Sequence, residues 1–184
     1  MRLSCTAIGH VLLACSIVLV AACSAHAGST VDQPATHSTI TMHRSTCFGI
    51  CPSYTVVLQP DGQVRFTGEA HVSTKDASGH ANATQIAAIE AALQKAEFAT
   101  LNSSYVSRDD GCEMVMSDMP GVTITVANAS GSKTVDFYYG CDGAIANAVR
   151  PRIEQLAKTI DQQLNTAQWI GTPAAPGVRE TTDR

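Results

Sequence analysis

The body of this chain is built around four cysteines, Cys47, Cys51, Cys112 and Cys141, and the first two share one hexapeptide, Cys47-Phe48-Gly49-Ile50-Cys51-Pro52. Any fold must pair these thiols, shield them or use them. Two thiols four positions apart, with a glycine between them and a proline behind, can do redox chemistry, hold a metal or pin a turn. The compartment decides first, because disulfides persist only where the surroundings are oxidising.

The N-terminus speaks to that. Arg2 is followed by an apolar run from Val11 to Ala22, interrupted only by Cys15 and Ser16. The run is too short to span a bilayer stably and reads as the apolar region of a secretory signal. It stops at Val20-Ala21-Ala22-Cys23, which resembles a bacterial lipobox, in which the cysteine thiol is diacylated and becomes the first residue of the mature chain. Cleavage after Ala25-His26-Ala27 is the competing reading. Lipidation of Cys23 is the expectation, because that cysteine stands where the apolar run ends. Each acyl methylene buried in a membrane contributes about 0.8 kcal/mol, so the chains together would hold the protein firmly. Ser24 lacks the aspartate associated with inner-membrane retention in some Gram-negative bacteria, so the expected location is the outer membrane, facing the periplasm.

Removing residues 1–22 takes away one arginine and no acid, leaving eleven cations, sixteen carboxylates and a net charge of −5. That balance argues against nucleic acid as a partner, and against an electrostatic grip on anionic lipid. The expected organisation is a signal peptide over 1–22, a lipidated flexible tether over 23–38, one domain over 39–171 and a disordered tail over 172–184.

Within the domain, Thr39 to Arg44 alternates as a strand, and 53–59 and 63–70 read as strands joined at Pro60-Asp61-Gly62. Thr84 is expected to cap a helix with Ile86, Ile89, Leu93 and Ala96 on one face. Segments 122–128 and 133–139 read as a second hairpin about Ser130-Gly131. A last helix is expected to begin near Pro151, with Ile153, Leu156, Ile160 and Leu164 as its buried stripe. The expected fold is α+β: a small antiparallel sheet of about five strands, two hairpins plus a leading strand, with two helices on one face.

With Cys5 and Cys15 removed and Cys23 lipidated, the four body cysteines allow three disulfide connectivities, and the sequence alone does not choose among them. The preferred pairing is Cys47 with Cys51 and Cys112 with Cys141, because the latter two bracket the second hairpin.

Several pieces then fall in a recognisable order. They are Arg44-Ser45-Thr46 running into the cysteine hexapeptide and Ser53-Tyr54, Asp61-Gly62 at a hairpin turn, and Phe98 after the first helix. Ser117-Asp118-Met119-Pro120, Tyr138-Tyr139-Gly140-Cys141 and a closing Trp169-Ile170-Gly171 complete the series. Together they resemble a bacterial domain-of-unknown-function family marked by CFGxCPxY. The resemblance covers about 39–171 and implies a single domain of that fold; it implies no activity.

A C-x-x-x-C followed by proline is also similar to the copper site of Sco-type chaperones, where the motif opens a helix. Here the β-branched alternation after Pro52 predicts a strand, so a structural disulfide is favoured over a metal or redox pair. Cys112, Met114 and Met116 would line one side of a strand and offer soft sulfur for Cu(I), but alternate methionines are expected to fill an apolar face. His43, His71 and His80 match no common zinc spacing, and Glu90, Glu97, Asp109 and Asp110 read as solvated carboxylates. No GxSxG, HExxH or phosphate-cradling glycine loop is present. The functional expectation is a lipid-anchored envelope domain, not an enzyme, without metal or cofactor, that binds a protein, peptide or envelope polymer through a sheet edge or loop. The alternative is a periplasmic thiol-redox or copper-binding protein using Cys47 and Cys51.

Overall fold

A computed structural model of the chain describes residues 38–171. These residues open with four strands: β1 (Thr39–Arg44), β2 (Ser53–Leu58), β3 (Gln63–Ala70) and β4 (Asp76–His80). The helix α1 (Ala83–Lys95) follows, then the short strands β5 (Ser104–Tyr105) and β6 (Met114–Val115). The hairpin of β7 (Gly121–Asn128) and β8 (Gly131–Tyr138) leads through β9 (Cys141–Asp142) to α2 (Ala144–Leu164) and α3 (Ala167–Ile170). The main sheet has seven strands in the order β4-β3-β2-β1-β7-β8-β5, and β6 pairs with β9 in a second, two-stranded sheet. Pairing in the main sheet is antiparallel except between β5 and β8.

The chain is therefore α+β as expected, but the main sheet has seven strands rather than about five. β4 reads Asp-Ala-Ser-Gly-His, without a β-branched or aromatic residue to announce it. It is a strand because the outer edge of β3 offers unpaired backbone groups, and Gly79 leaves room for Trp169, whose ring would lie 3.2 Å from a Cβ placed there. β5 is two residues long and is held by its partner β8, with Tyr105 buried against Phe137.

Two helix boundaries differ from the sequence reading. The expected cap, Thr84, lies inside α1, and Asn82 caps it instead. Asn82 Oδ1 accepts from the Gln85 backbone N–H (3.0 Å) while Gln85 Oε1 accepts from the Asn82 N–H (2.9 Å), so two orphan donors are satisfied at once. α2 begins at Ala144 rather than near Pro151, and Pro151 sits within it. An interior proline costs about 3 kcal/mol. Burial of Ala146 and Val149, which extend the stripe of Ile153, Leu156, Ile160 and Leu164 upstream, offsets that loss.

Strand alternation sets the two faces. The register aligns Ile40, Met42, Val56, Leu58, Val64, Phe66, Ile124 and Val135 on one side, and all are buried. They form one core with Ile86 and Ile89 of α1 and the α2 stripe, so the helices cover that face. The opposite face carries Thr41, Thr55, Thr123, Thr125 and Thr134, and there His43 meets Glu69 at 3.2 Å.

Candidate functional site

β1 ends at Arg44, β2 begins at Ser53, β7 begins at Gly121 and β8 ends at Tyr138. These strands are antiparallel neighbours, so all four termini lie at one end of the sheet, and the cysteines lie there with them. Cys47 is bonded to Cys51 (Cα–Cα 5.5 Å) and Cys112 to Cys141 (Cα–Cα 5.2 Å), both within ordinary disulfide spans. The first bond is partly exposed and closes the reversal from β1 to β2, where Gly49 takes a φ of +134° that a side chain would resist. The second is buried and joins the segment before β6 to β9.

The two disulfide-bearing loops are stitched to each other. The Phe48 N–H donates to Asp118 O (2.9 Å), the Ser45 N–H to Gly121 O (3.1 Å), and the Gly121 N–H to Ser45 Oγ (2.7 Å). Beside them the Tyr138 hydroxyl donates to Met116 O (2.8 Å) and accepts from the Met119 N–H (3.1 Å), fixing the loop that leads into β7.

On this frame stand the exposed apolar side chains. Among the described residues, the large hydrophobics that remain exposed are Phe48, Ile50, Met114, Val115, Met116, Met119 and Ile145, with Phe48 at 88%. All belong to this end: the first six lie in the two stitched loops, and Ile145 follows Ala144, whose N–H donates to Glu113 Oε1 (3.1 Å). Soluble domains rarely gather such side chains without a partner for them.

Behind the loops is a cleft of about 330 Å³ whose walls include Arg44, Cys51, Pro52, Pro120, Tyr139 and Asp161. Strand parity puts Arg44 on the helix side, after Ile40 and Met42, and α2 brings Asp161 to meet it. Asp161 Oδ2 accepts from Arg44 Nη2 (2.7 Å) and Nε (2.9 Å), and its Oδ1 accepts from Tyr54 (2.5 Å) and Thr166 (2.8 Å) hydroxyls. Burial, then the Asp161 carboxylate, pushes the Tyr54 hydroxyl far above its ordinary pKa. Burial alone would lower Arg44, but Asp161 and Tyr54 outweigh it and hold the guanidinium above its ordinary value. Tyr54 and Arg44 carry their protons at neutral pH, and through Asp161 the cluster ties β1 and β2 to α2.

Residues 38–164 match the model of a domain of unknown function, DUF6438. The chain belongs to that family. The matched span stops short of Trp169-Ile170-Gly171, which in this chain packs onto the domain nonetheless: Trp169 lies on Phe66 with ring centroids 5.2 Å apart. No curated protein matches the chain.

The DUF6438 fold brings Cys47 to Cys51 and Cys112 to Cys141 as two separate pairs. Cys23 lies outside the described residues. The methionines depart from expectation. Met114 and Met116 do not fill an apolar face; β6 is only two residues long, Cys112 turns inward to its disulfide, and both thioethers stand exposed. His43 pairs with Glu69, which accepts first from Ser53 Oγ (2.6 Å), and that hydroxyl, against some burial and with help from His43, holds Glu69 below its ordinary pKa. Asp110 caps its own turn, its Oδ2 accepting from the Ser107 N–H (2.9 Å) and hydroxyl (2.8 Å). Among the described residues no three His, Cys, Asp or Glu side chains converge on a metal position.

Sequence reasoning missed Arg44, Tyr54, Asp161 and Thr166. The signal for Arg44 was its parity with Ile40 and Met42, and for Asp161 its place between Ala157 and Leu164 at spacings of four and three. A larger open groove of about 700 Å³ lies between the end of α1 and the β7–β8 turn, floored by Leu93, Phe98 and Val126. The Lys133 amine at its wall is engaged by Leu101 O (2.6 Å), and none of the exposed large hydrophobics lies in it. Size alone therefore does not make it the better candidate.

Proposed function

We propose that this DUF6438 domain is a non-catalytic binding module of the cell envelope, exported and anchored through lipid at Cys23, that engages its partner with the cysteine-pinned loops. The observation that carries the binding reading is the gathering of the exposed large hydrophobics onto two hydrogen-bonded loops. Export is supported by two disulfides, which suit an oxidising compartment. Among the described residues no helix is long and apolar enough to cross a membrane. In this reading residues 1–22 are the signal, 23–38 the tether, 39–171 the binding domain and 172–184 a tail, and the protein faces the periplasm from the outer membrane.

The test is a photo-cross-linking residue placed at Ile50 or, as control, at the exposed Glu90 of α1, in cells making the full chain. A discrete adduct from position 50 that Phe48→Ser abolishes, and that position 90 does not give, supports the reading. Adducts that are the same from both positions, or indifferent to Phe48→Ser, overturn it.

A thiol or copper role for Cys47 and Cys51 stays as the second reading, because that pair is partly exposed whereas Cys112–Cys141 is buried. Mass spectrometry of untreated protein separates the two. All four cysteines oxidised and metal-free favours the binding module; a reduced or metal-loaded Cys47/Cys51 pair favours the second reading.

A further inference from the structure

We infer that the partner of the cysteine-pinned surface is a protein segment whose apolar side chains are flanked by lysine or arginine. The inference rests on the binding reading above and adds the partner's chemistry. The surface is built by segments 45–52 and 108–120, which contain four carboxylates, Asp109, Asp110, Glu113 and Asp118, against one cation, the exposed Arg108. Glu113 adjoins Met114 in the chain, and Asp118 lies between Ser117 and Met119 with its carbonyl on the Phe48 N–H. Both side chains are exposed, and their hydrogen bonds come from neutral donors, the Ala144 N–H and the Ser117 hydroxyl, so their charge is not cancelled.

Arg108 is exposed, but the two arginines behind this surface are turned inward. Arg44 is bound to Asp161, and Arg150 gives Nη1 and Nη2 to the carbonyls of Tyr139 and Cys141 (both 2.9 Å) while lying over the Phe137 ring. What faces outward is an apolar patch whose rim, four carboxylates against Arg108, is net negative. Such a rim repels anionic lipid headgroups and acidic peptides and attracts a basic one, while the apolar centre supplies the contact area. The disulfides have already ordered the loops, so binding does not have to.

The test uses the full chain labelled with ¹³C-methyl methionine, in which Met42, wholly buried in the core, is an internal control. Three probes are titrated: a short peptide of leucine and lysine, the same peptide with glutamate for lysine, and phosphatidylglycerol vesicles. The lysine peptide should shift the Met114, Met116 and Met119 methyls and leave Met42 in place. Its affinity should fall about tenfold between about 20 mM and about 200 mM salt. Glu113→Gln with Asp118→Asn, where asparagine tolerates the left-handed backbone of position 118, should weaken it roughly three- to tenfold with Met42 unmoved. Equal binding of both peptides at these methyls would overturn the basic partner and leave the binding surface standing. Vesicles that shift the same methyls would assign the surface to lipid and overturn the protein partner. If no probe moves them, the inference and the binding surface both fall.

Discussion

Arg44 and Asp161 stand 117 residues apart in the chain, and their side chains meet at 2.7 Å, joining the end of β1 to α2 directly beneath the Cys47–Cys51 loop. The pair is about one-quarter exposed, so water screens part of the attraction, but Asp161 also holds Tyr54 and Thr166. Removing it leaves a charged guanidinium and two buried hydroxyls without their acceptor.

Asp161→Ala should therefore cost about 2–3 kcal/mol by chemical denaturation, with Arg44→Ala costing less. The double variant should be milder than the sum of the two by about 1 kcal/mol, since the second change removes the group the first one stranded. Additivity within a few tenths would show that the ion pair does not couple β1 to α2.

Tyr54 gives the fold an alkaline limit. Its folded pKa lies well above the unfolded value near 10, so above about pH 10 the unfolded state loses a proton that the native state keeps. Stability is fully present below that pH and falls as pH rises, by at most about 1.4 kcal/mol per unit for one group. Tyr139, raised chiefly by burial against the opposing pull of Arg44, adds with the same sign. Tyr54→Phe should lower stability at neutral pH but flatten the alkaline slope; an unchanged slope would show that Tyr54 is not its source.

The two disulfides should contribute unequally. Cys47–Cys51 spans four positions and Cys112–Cys141 twenty-nine, which in the chain-entropy model gives about 2 and about 3.5 kcal/mol. Replacing Cys47 and Cys51 by serine should thus lower the melting temperature less than replacing Cys112 and Cys141 by alanine. Loss of a function on removing Cys47 and Cys51 at an unchanged melting temperature would turn the case toward thiol or copper chemistry.

Anchoring is read from fractionation. Cys23→Ser should leave an unprocessed precursor or a soluble form cut after Ala27, while the wild-type chain partitions with the membrane. Wild-type protein recovered wholly in the soluble periplasmic fraction, beginning at Gly28, would remove the lipid anchor.

What the sequence determined by itself is what local chemistry encodes. Alternation fixed β1, Pro60-Asp61-Gly62 fixed the β2–β3 turn, where Gly62 takes a φ of +86°, and the three-and-four spacing of Ile153, Leu156, Ile160 and Leu164 marked the buried face of α2. Only the tertiary structure decided the rest. β4 has no strand chemistry of its own and β5 is only two residues long, and both exist because β3 and β8 present open edges. Pro151 lies within a helix because burial on both sides of it outweighs one lost backbone bond. The exposure of Met114, Met116 and Met119 had no local marker, since a thioether suits a core as well as a surface and only the position of neighbouring strands determines which it meets. Arg44 and Asp161, remote in sequence, became partners when the sheet brought the end of β1 beneath α2, and that long-range pairing is what no window of sequence contains.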